Sequence, residues 1–174
     1  DTIPINIGFI GSYAKQAHGD FVDISLFKYP QSVITSIKDN PPDIIAFSNY
    51  SWNSNLSEHV ASIAKSVNEH VITVVGGTNF PHKAEQQLDY IRKSNGSVDF
   101  FVELEGEVAF SNIVSRVLSA RDGVIGVFEG PIDGCVFIQP ETINEKEPIL
   151  VKGAQPERIK SLDDIPSPYL NGML

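Results

Sequence analysis

The chain has 174 residues, a formal net charge of −9 and a hydrophobic fraction of 41%, with a pI near 4.8, which suits one globular domain plus an appendage around a real core. The acidic balance, without any Lys/Arg cluster, argues against nucleic acid and against anionic membrane surfaces as partners. A lone cysteine, Cys135, excludes a disulfide framework and any multi-cysteine metal or iron–sulfur site within the chain.

No run approaches the ~18 apolar residues of a membrane span, and no basic-then-apolar signal segment is present; a soluble, cytoplasmic protein is expected. The start at Asp1 without methionine and the end at Leu174, soon after Pro166-Ser167-Pro168, suggest a piece of something longer.

In chain order, Ile3 to Ile10 is apolar and rich in β-branched residues and reads as a first strand entering a turn at Gly8 and Gly11. A short helix over Tyr13 to His18 follows. Val22 to Phe27 alternates with Asp23 and Ser25 and reads as a second strand near the sheet's edge. Pro30 with Val33, Ile34 and Ile37 predicts a helix ended by Asn40-Pro41-Pro42.

Asp43 to Phe47 reads as a central strand covered on both faces. It breaks abruptly into Ser48-Asn49-Tyr50-Ser51-Trp52-Asn53, where small polar groups alternate with two aromatic rings. Leu56, Val60, Ile63, Ala64 and Val67 then fall at helical spacing, with Asn55 and Glu58 placed for a capping box. Val71 to Val75 is a fourth strand closed by Gly76-Gly77. A helix follows through Ala84, Leu88 and Ile91, stopped by Asn95-Gly96.

Val98 to Val102 is a fifth strand, and Phe110, Ile113, Val114, Val117 and Leu118 line the next helix. Strands alternating with helices predict an α/β, doubly wound, five-stranded parallel sheet of flavodoxin-like order 2-1-3-4-5 spanning residues 1–123. Over 124–174, six of the eleven prolines lie after position 130. Val124 to Phe128 and Gly134 to Ile138 suggest a hairpin across Gly130-Pro131, with an extended connector from Pro140 onward.

In open α/β sheets ligands bind at the carboxyl edge, at the switch point between strands one and three. This places Gly11, Ser12 and Tyr13 opposite Ser48, Asn49 and Tyr50, with Gly76, Gly77 and Thr78, and then Glu103 to Gly106, beside them. Gly76-Gly77 permits positive φ and close approach of a ligand to the backbone, or is simply a tight turn. Thr78 and Asn79 could cap a helix or donate to a phosphate. Glu103, Glu105 and Glu107 sit where a helix dipole stabilises carboxylates, and no nearby His or Lys in the sequence completes an acid/base centre. No two of His18, His59, His70 and His82 have metal-ligand spacing.

A dinucleotide G-x-G-x-x-G, a P-loop and a phospho-accepting aspartate after strand three are all missing.

From about residue 40 to the end, the chain resembles the amino-terminal cobalamin-binding domain of cobalamin-dependent radical S-adenosylmethionine enzymes. The resemblance is carried by Pro42 to Asn53, by Val74-Val75-Gly76-Gly77, by Val102 to Phe110 including Glu105 and Gly106, and most strongly by Leu162 to Gly172 with its Pro166-Ser167-Pro168-Tyr169-Leu170. It implies that cobalamin lies over the carboxyl edge with its nucleotide tail in the crevice. Ser48 would contact the tail, and Gly76-Gly77 would let it pass. Tyr50, Ser51 and Trp52 would border the ring, and Gly11, Ser12 and Tyr13 would face its lower side.

The D-x-H-x-x-G loop that ligates cobalt in methionine-synthase-like domains is absent, so no protein histidine is expected on cobalt. The C-x-x-x-C-x-x-C cluster motif is absent too. The iron–sulfur cluster and S-adenosylmethionine would therefore belong to a downstream radical domain of the parent chain, and this piece would hold its cofactor without a catalytic centre of its own. The alternative is a flavodoxin-like regulatory or interaction domain without cofactor.

Overall fold

Three apolar runs form a parallel ladder in a computed structural model, which describes residues 3–174: β1 (Ile44–Ser48), β2 (Ile72–Gly76) and β3 (Phe100–Val102). Beyond β3, β4 (Cys135–Ile138) and β5 (Leu150–Lys152) pair antiparallel, giving a mixed sheet of order β1-β2-β3-β4-β5. The helices are α1 (Ile5–His18), α2 (Pro30–Asp39), α3 (Ser54–Val67), α4 (Ala84–Lys93), α5 (Gly106–Ser119) and the single turn α6 (Val124–Val127).

Side chains alternate across the sheet, as strand geometry requires. Ile72, Val74, Phe100, Val102, Cys135 and Phe137 pack with Ala109 and Ile113 of α5 and Val127 of α6. Val75, Phe101, Val136 and Ile138 face the other way, onto Ala61 of α3 and Ile91 of α4. Ile45 joins Ile37 of α2 with Val60 and Ala64 of α3.

Four expectations are corrected. The segment read as a first strand is the first half of α1. Its helical period is carried by small residues, with Gly8, Gly11, Ser12 and Ala14 buried, and packing overrides the β preference of its isoleucines. A Cβ on Gly8 would stand 2.7 Å from Leu174 Cδ1, and one on Gly11 2.8 Å from Met173 Sδ, so the carboxyl-terminal residues lie directly on this stripe.

Val22 to Phe27 is extended but forms no ladder among the described residues; Ile24 and Leu26 pack toward Gly11 instead. The order 2-1-3-4-5 is therefore not observed, and β1 occupies an edge of the sheet with Ala46 exposed. Third, the hairpin forms between β4 and β5, while Val124–Val127 is helical. Fourth, α3 begins at Ser54, and Asn55 and Glu58 make no capping box.

At the amino ends of the strands, Asp99 acts as a staple. Its Oδ2 accepts from Thr73 N (2.7 Å), Thr73 Oγ1 (2.9 Å) and Lys65 Nζ (2.6 Å), tying β2, β3 and the end of α3 together. Thr73 is fully buried, so losing the carboxylate strands an amide away from water. Asp99→Ala is expected to lower the unfolding free energy by about 2–3 kcal/mol, read by urea denaturation.

Cys135 is also fully buried. Burial first, then the charges of Asp133 and Glu103, push its thiol from the ordinary 9.0 up to about 12. The folded state therefore keeps a proton that the unfolded state releases. This contribution to stability is complete below pH 9 and is lost as the pH rises toward 12. Below pH 9 the folded thiol should resist alkylation, and denaturation in guanidinium should restore full reactivity, as measured by iodoacetamide labelling.

Candidate functional site

The register Ser48↔Gly76↔Val102 puts the ends of the three parallel strands in one row. One residue further on, Asn49 N–H donates to the Gly76 carbonyl at 2.6 Å. Gly77 turns with φ +133°, and a Cβ there would collide with the Asn49 carbonyl oxygen. Only glycine lets the two backbones pass. Gly76 is less constrained, its nearest obstacle being Val102 Cβ at 3.3 Å.

The loop after β1 is folded on its own polar side chains. Tyr50 N–H donates to Asn53 Oδ1 (2.7 Å), and Asn53 Nδ2 donates to the Ser48 carbonyl (2.8 Å). This turn presents Tyr50 and Trp52 as a parallel stack with centroids 4.6 Å apart and an interplanar angle of 2°. Trp52 is 79% exposed. Tyr50 Oη accepts from Asn6 Nδ2 of α1 at 2.7 Å, so it is the first turn of α1 that reaches the edge.

Gly11, Ser12 and Tyr13 lie further along α1, in helix rather than in a loop. They do not form a turn facing Ser48. Gly11 and Ser12 are buried beneath Met173, and Tyr13 lines a separate open cavity of about 570 Å³ with Gln16, Val108, Arg158, Lys160 and Asp164.

At the exit of β3, Glu103 has a side chain only 5% exposed. Its Oε1 accepts from Gln87 Nε2 (2.6 Å) and Lys152 Nζ (2.8 Å), and its Oε2 from Gln155 Nε2 (2.7 Å). The cation absent from the local sequence thus arrives from β5. Glu105 is held by the Arg158 guanidinium; that hydrogen bond first, and the carboxylate charge second, raise the Arg158 pKa. Between the two glutamates, Leu104 adopts φ +57° while 67% exposed, a left-handed conformation that costs a leucine energy.

His18 ends α1, where its Nε2 contacts Ser111 O (3.1 Å) and Ser111 Oγ (3.0 Å) of α5. Among the described residues no three His, Cys, Asp or Glu side chains converge as metal ligands.

The residues that sequence reasoning missed are Gln87 and Tyr90, on α4 behind the edge. Gln87 is fully buried on a helix whose other buried residue is Ile91; a glutamine four residues before Ile91, on the apolar face, is the signal that was there to find. Asn49 Oδ1 and Gln87 Oε1 are buried and accept no hydrogen bond among the described residues.

An exposed aromatic stack beside buried acceptors without donors among the described residues fits a flat ligand bearing N–H or O–H groups. The fold and this edge define a cofactor-binding α/β domain. Residues 1–114 match the B12 binding domain family, and the chain belongs to it; the cofactor is cobalamin. The match takes in α1, beyond the part of the chain that shows the resemblance by motif.

The chain is 29% identical over 178 aligned residues to the cobalamin-dependent radical SAM methyltransferase TokK of Streptomyces tokunonensis. It is 28% identical to the 2-(S-pantetheinyl)-carbapenam-3-carboxylate methyltransferase of Streptantibioticus cattleyicolor. Each alignment covers 99% of this chain but only 24% of the relative, so the chain spans about a quarter of the length of the curated relatives it matches.

Gly77→Ala should force the exits of β1 and β2 apart. The expected loss is at least about 2 kcal/mol of stability, read by thermal or urea unfolding, whereas Gly76→Ala should lose clearly less.

Proposed function

We propose that this chain is the cobalamin-holding part of a larger cobalamin-dependent radical S-adenosylmethionine methyltransferase, and that it holds the corrinoid without a protein histidine on cobalt. The observation that supports this most is the exposed Tyr50–Trp52 stack next to Asn49, whose buried Oδ1 accepts no hydrogen bond among the described residues. In this reading the tail of the cofactor passes Ser48, Asn49, Gly76 and Gly77. The ring is bordered by Tyr50, Ser51 and Trp52, with Thr78, Glu105 and Gly106 on the rim. Gly11, Ser12 and Tyr13 act indirectly, by seating α1 so that Asn6 reaches Tyr50.

Bound there, cobalamin supplies methyl-transfer chemistry. The chain's own residues bind it, orient it and cover one side. Residues 1–123 form the cobalamin unit, and 124–174, whose β4 and β5 complete the sheet, lead toward the radical domain that holds the iron–sulfur cluster and S-adenosylmethionine. A reducing cytoplasmic setting suits that cluster. Tethering of the His18 imidazole to Ser111 favours cobalt without a histidine ligand.

Mixing the chain with hydroxocobalamin and desalting should leave a protein-bound corrinoid with a perturbed visible spectrum. A free-ligand spectrum with complete loss on filtration would overturn the assignment. His18→Ala should leave the bound spectrum unchanged; a shifted spectrum in that variant would place imidazole on the metal.

A further inference from the structure

Behind the carboxyl edge, three polar side chains from three different segments meet on one phenol. Tyr90 Oη receives Asn49 Nδ2 at 3.0 Å and Asn79 Nδ2 at 2.8 Å. Ser54 Oγ lies 3.3 Å from the same oxygen and 3.4 Å from Glu58 Oε1, to which it donates. The phenol ring is fixed edge-on to Phe80 (5.7 Å) and Phe101 (5.9 Å).

The direction of this chain of hydrogen bonds follows from proton counting. The Glu58 carboxylate can only accept, so Ser54 donates to it and takes the Tyr90 proton, which leaves the Tyr90 oxygen to accept from both amides. Asn49 must therefore turn its nitrogen toward Tyr90, and its oxygen is the end left free. That oxygen belongs to a residue only 3% exposed and has no donor among the described residues. Flipping the amide would only exchange an orphan acceptor for an orphan donor. Buried polar groups are otherwise almost always satisfied, and leaving one unpaired weakens the fold.

We infer that Asn49 Oδ1 is a recognition acceptor for a neutral N–H or O–H group of the cofactor, and that Tyr90 is the positioning residue that aims it. The inference rests on the cobalamin reading. Asn49 directly follows the Ser48–Gly76 row at the sheet's edge, where the corrinoid is placed. An anion would set oxygen against oxygen there, and a cation would find a single neutral oxygen. Cobalamin offers both neutral donor types, as carboxamides around the corrin and as hydroxyls on the nucleotide tail.

The test compares wild type, Asn49→Leu and Tyr90→Phe by thermal unfolding without ligand and by spectral titration with hydroxocobalamin and with cobinamide, which lacks the nucleotide tail. If the acceptor serves the cofactor, Asn49→Leu removes an unpaired buried group. Its apo melting temperature should then hold or rise while its cobalamin affinity falls at least about tenfold.

Tyr90→Phe should behave differently. It breaks the chain that orients the amide, so apo stability should fall, with affinity weakened only about threefold. A loss seen with cobalamin alone assigns the donor to the tail, and a loss with both ligands assigns it to a corrin carboxamide; either supports the inference.

Unchanged affinity in Asn49→Leu, as expected if an ordered water satisfies the oxygen, would overturn it. So would parallel loss of stability and binding in both Asn49→Leu and Asn49→Ala, which would make the residue structural. If wild type itself fails to retain cobalamin, the functional reading falls and takes this assignment with it, an outcome distinct from a loss confined to the variants.

Discussion

Where β1 and β2 leave the sheet, two backbones run within hydrogen-bond contact, Asn49 N–H to Gly76 O at 2.6 Å, and the next residue has no room for a side chain. The rest of the carboxyl edge depends on that approach. Because successive residues of an extended chain point to opposite sides, pinning Asn49 fixes both of its neighbours. The Asn49 side chain goes inward to Tyr90, while Tyr50 goes outward to its stack with Trp52 and its bond with Asn6. A side chain on residue 77 would undo all of this at once.

The two ends of the sheet are built to opposite standards. At the amino edge, one oxygen of Asp99 accepts from three donors, two of them on a buried threonine. At the carboxyl edge, two buried amide oxygens lack donors among the described residues and a leucine sits in the left-handed region. Unpaired buried groups and backbone strain cost stability, and that deficit is met elsewhere in the fold. The Asp99 staple lies where no ligand is expected and can supply that stability without obstructing the site.

The strands β1, β2 and β3 were legible as short continuous apolar runs bounded by turn residues, and the helices α2 to α5 because their apolar residues repeat at 3.6. α1 was not, because its buried stripe is glycine and serine. A hydropathy reading follows Ile5, Ile7 and Ile10, whereas the contacts that fix the element are made by Gly8 and Gly11. The β4–β5 pairing was missed for a different reason. Gly130-Pro131 advertises a local turn, but the partner of Cys135–Ile138 begins at Leu150, beyond a 3-10 turn at Pro140–Thr142. At the candidate site, Ser48 to Trp52 and Gly76-Gly77 are contiguous segments that the sequence itself puts forward. Gln87, Tyr90, Lys152 and Gln155 reach the edge only through folding, and no local pattern announces them.

The acidic rim shows how much that distinction matters. In sequence, Glu103 and Glu105 form a negative cluster without a counterion. Folded, Glu103 is covered by Lys152, Gln155 and Gln87, and Glu105 is held by Arg158. Their charge is used to hold the strand and chain that follow β4. From Arg158 the connector continues to Met173 and Leu174, which lie on Gly11 and Gly8 of α1, while Asn6 at the start of that helix bonds Tyr50. The connector is thus tied at one end to the exit of β3 and at the other to the helix that steadies the aromatic stack. Removing the charge of Glu103 would leave Lys152 without its buried partner and loosen the connector where it crosses the sheet, so these glutamates shape the edge through the segment they anchor.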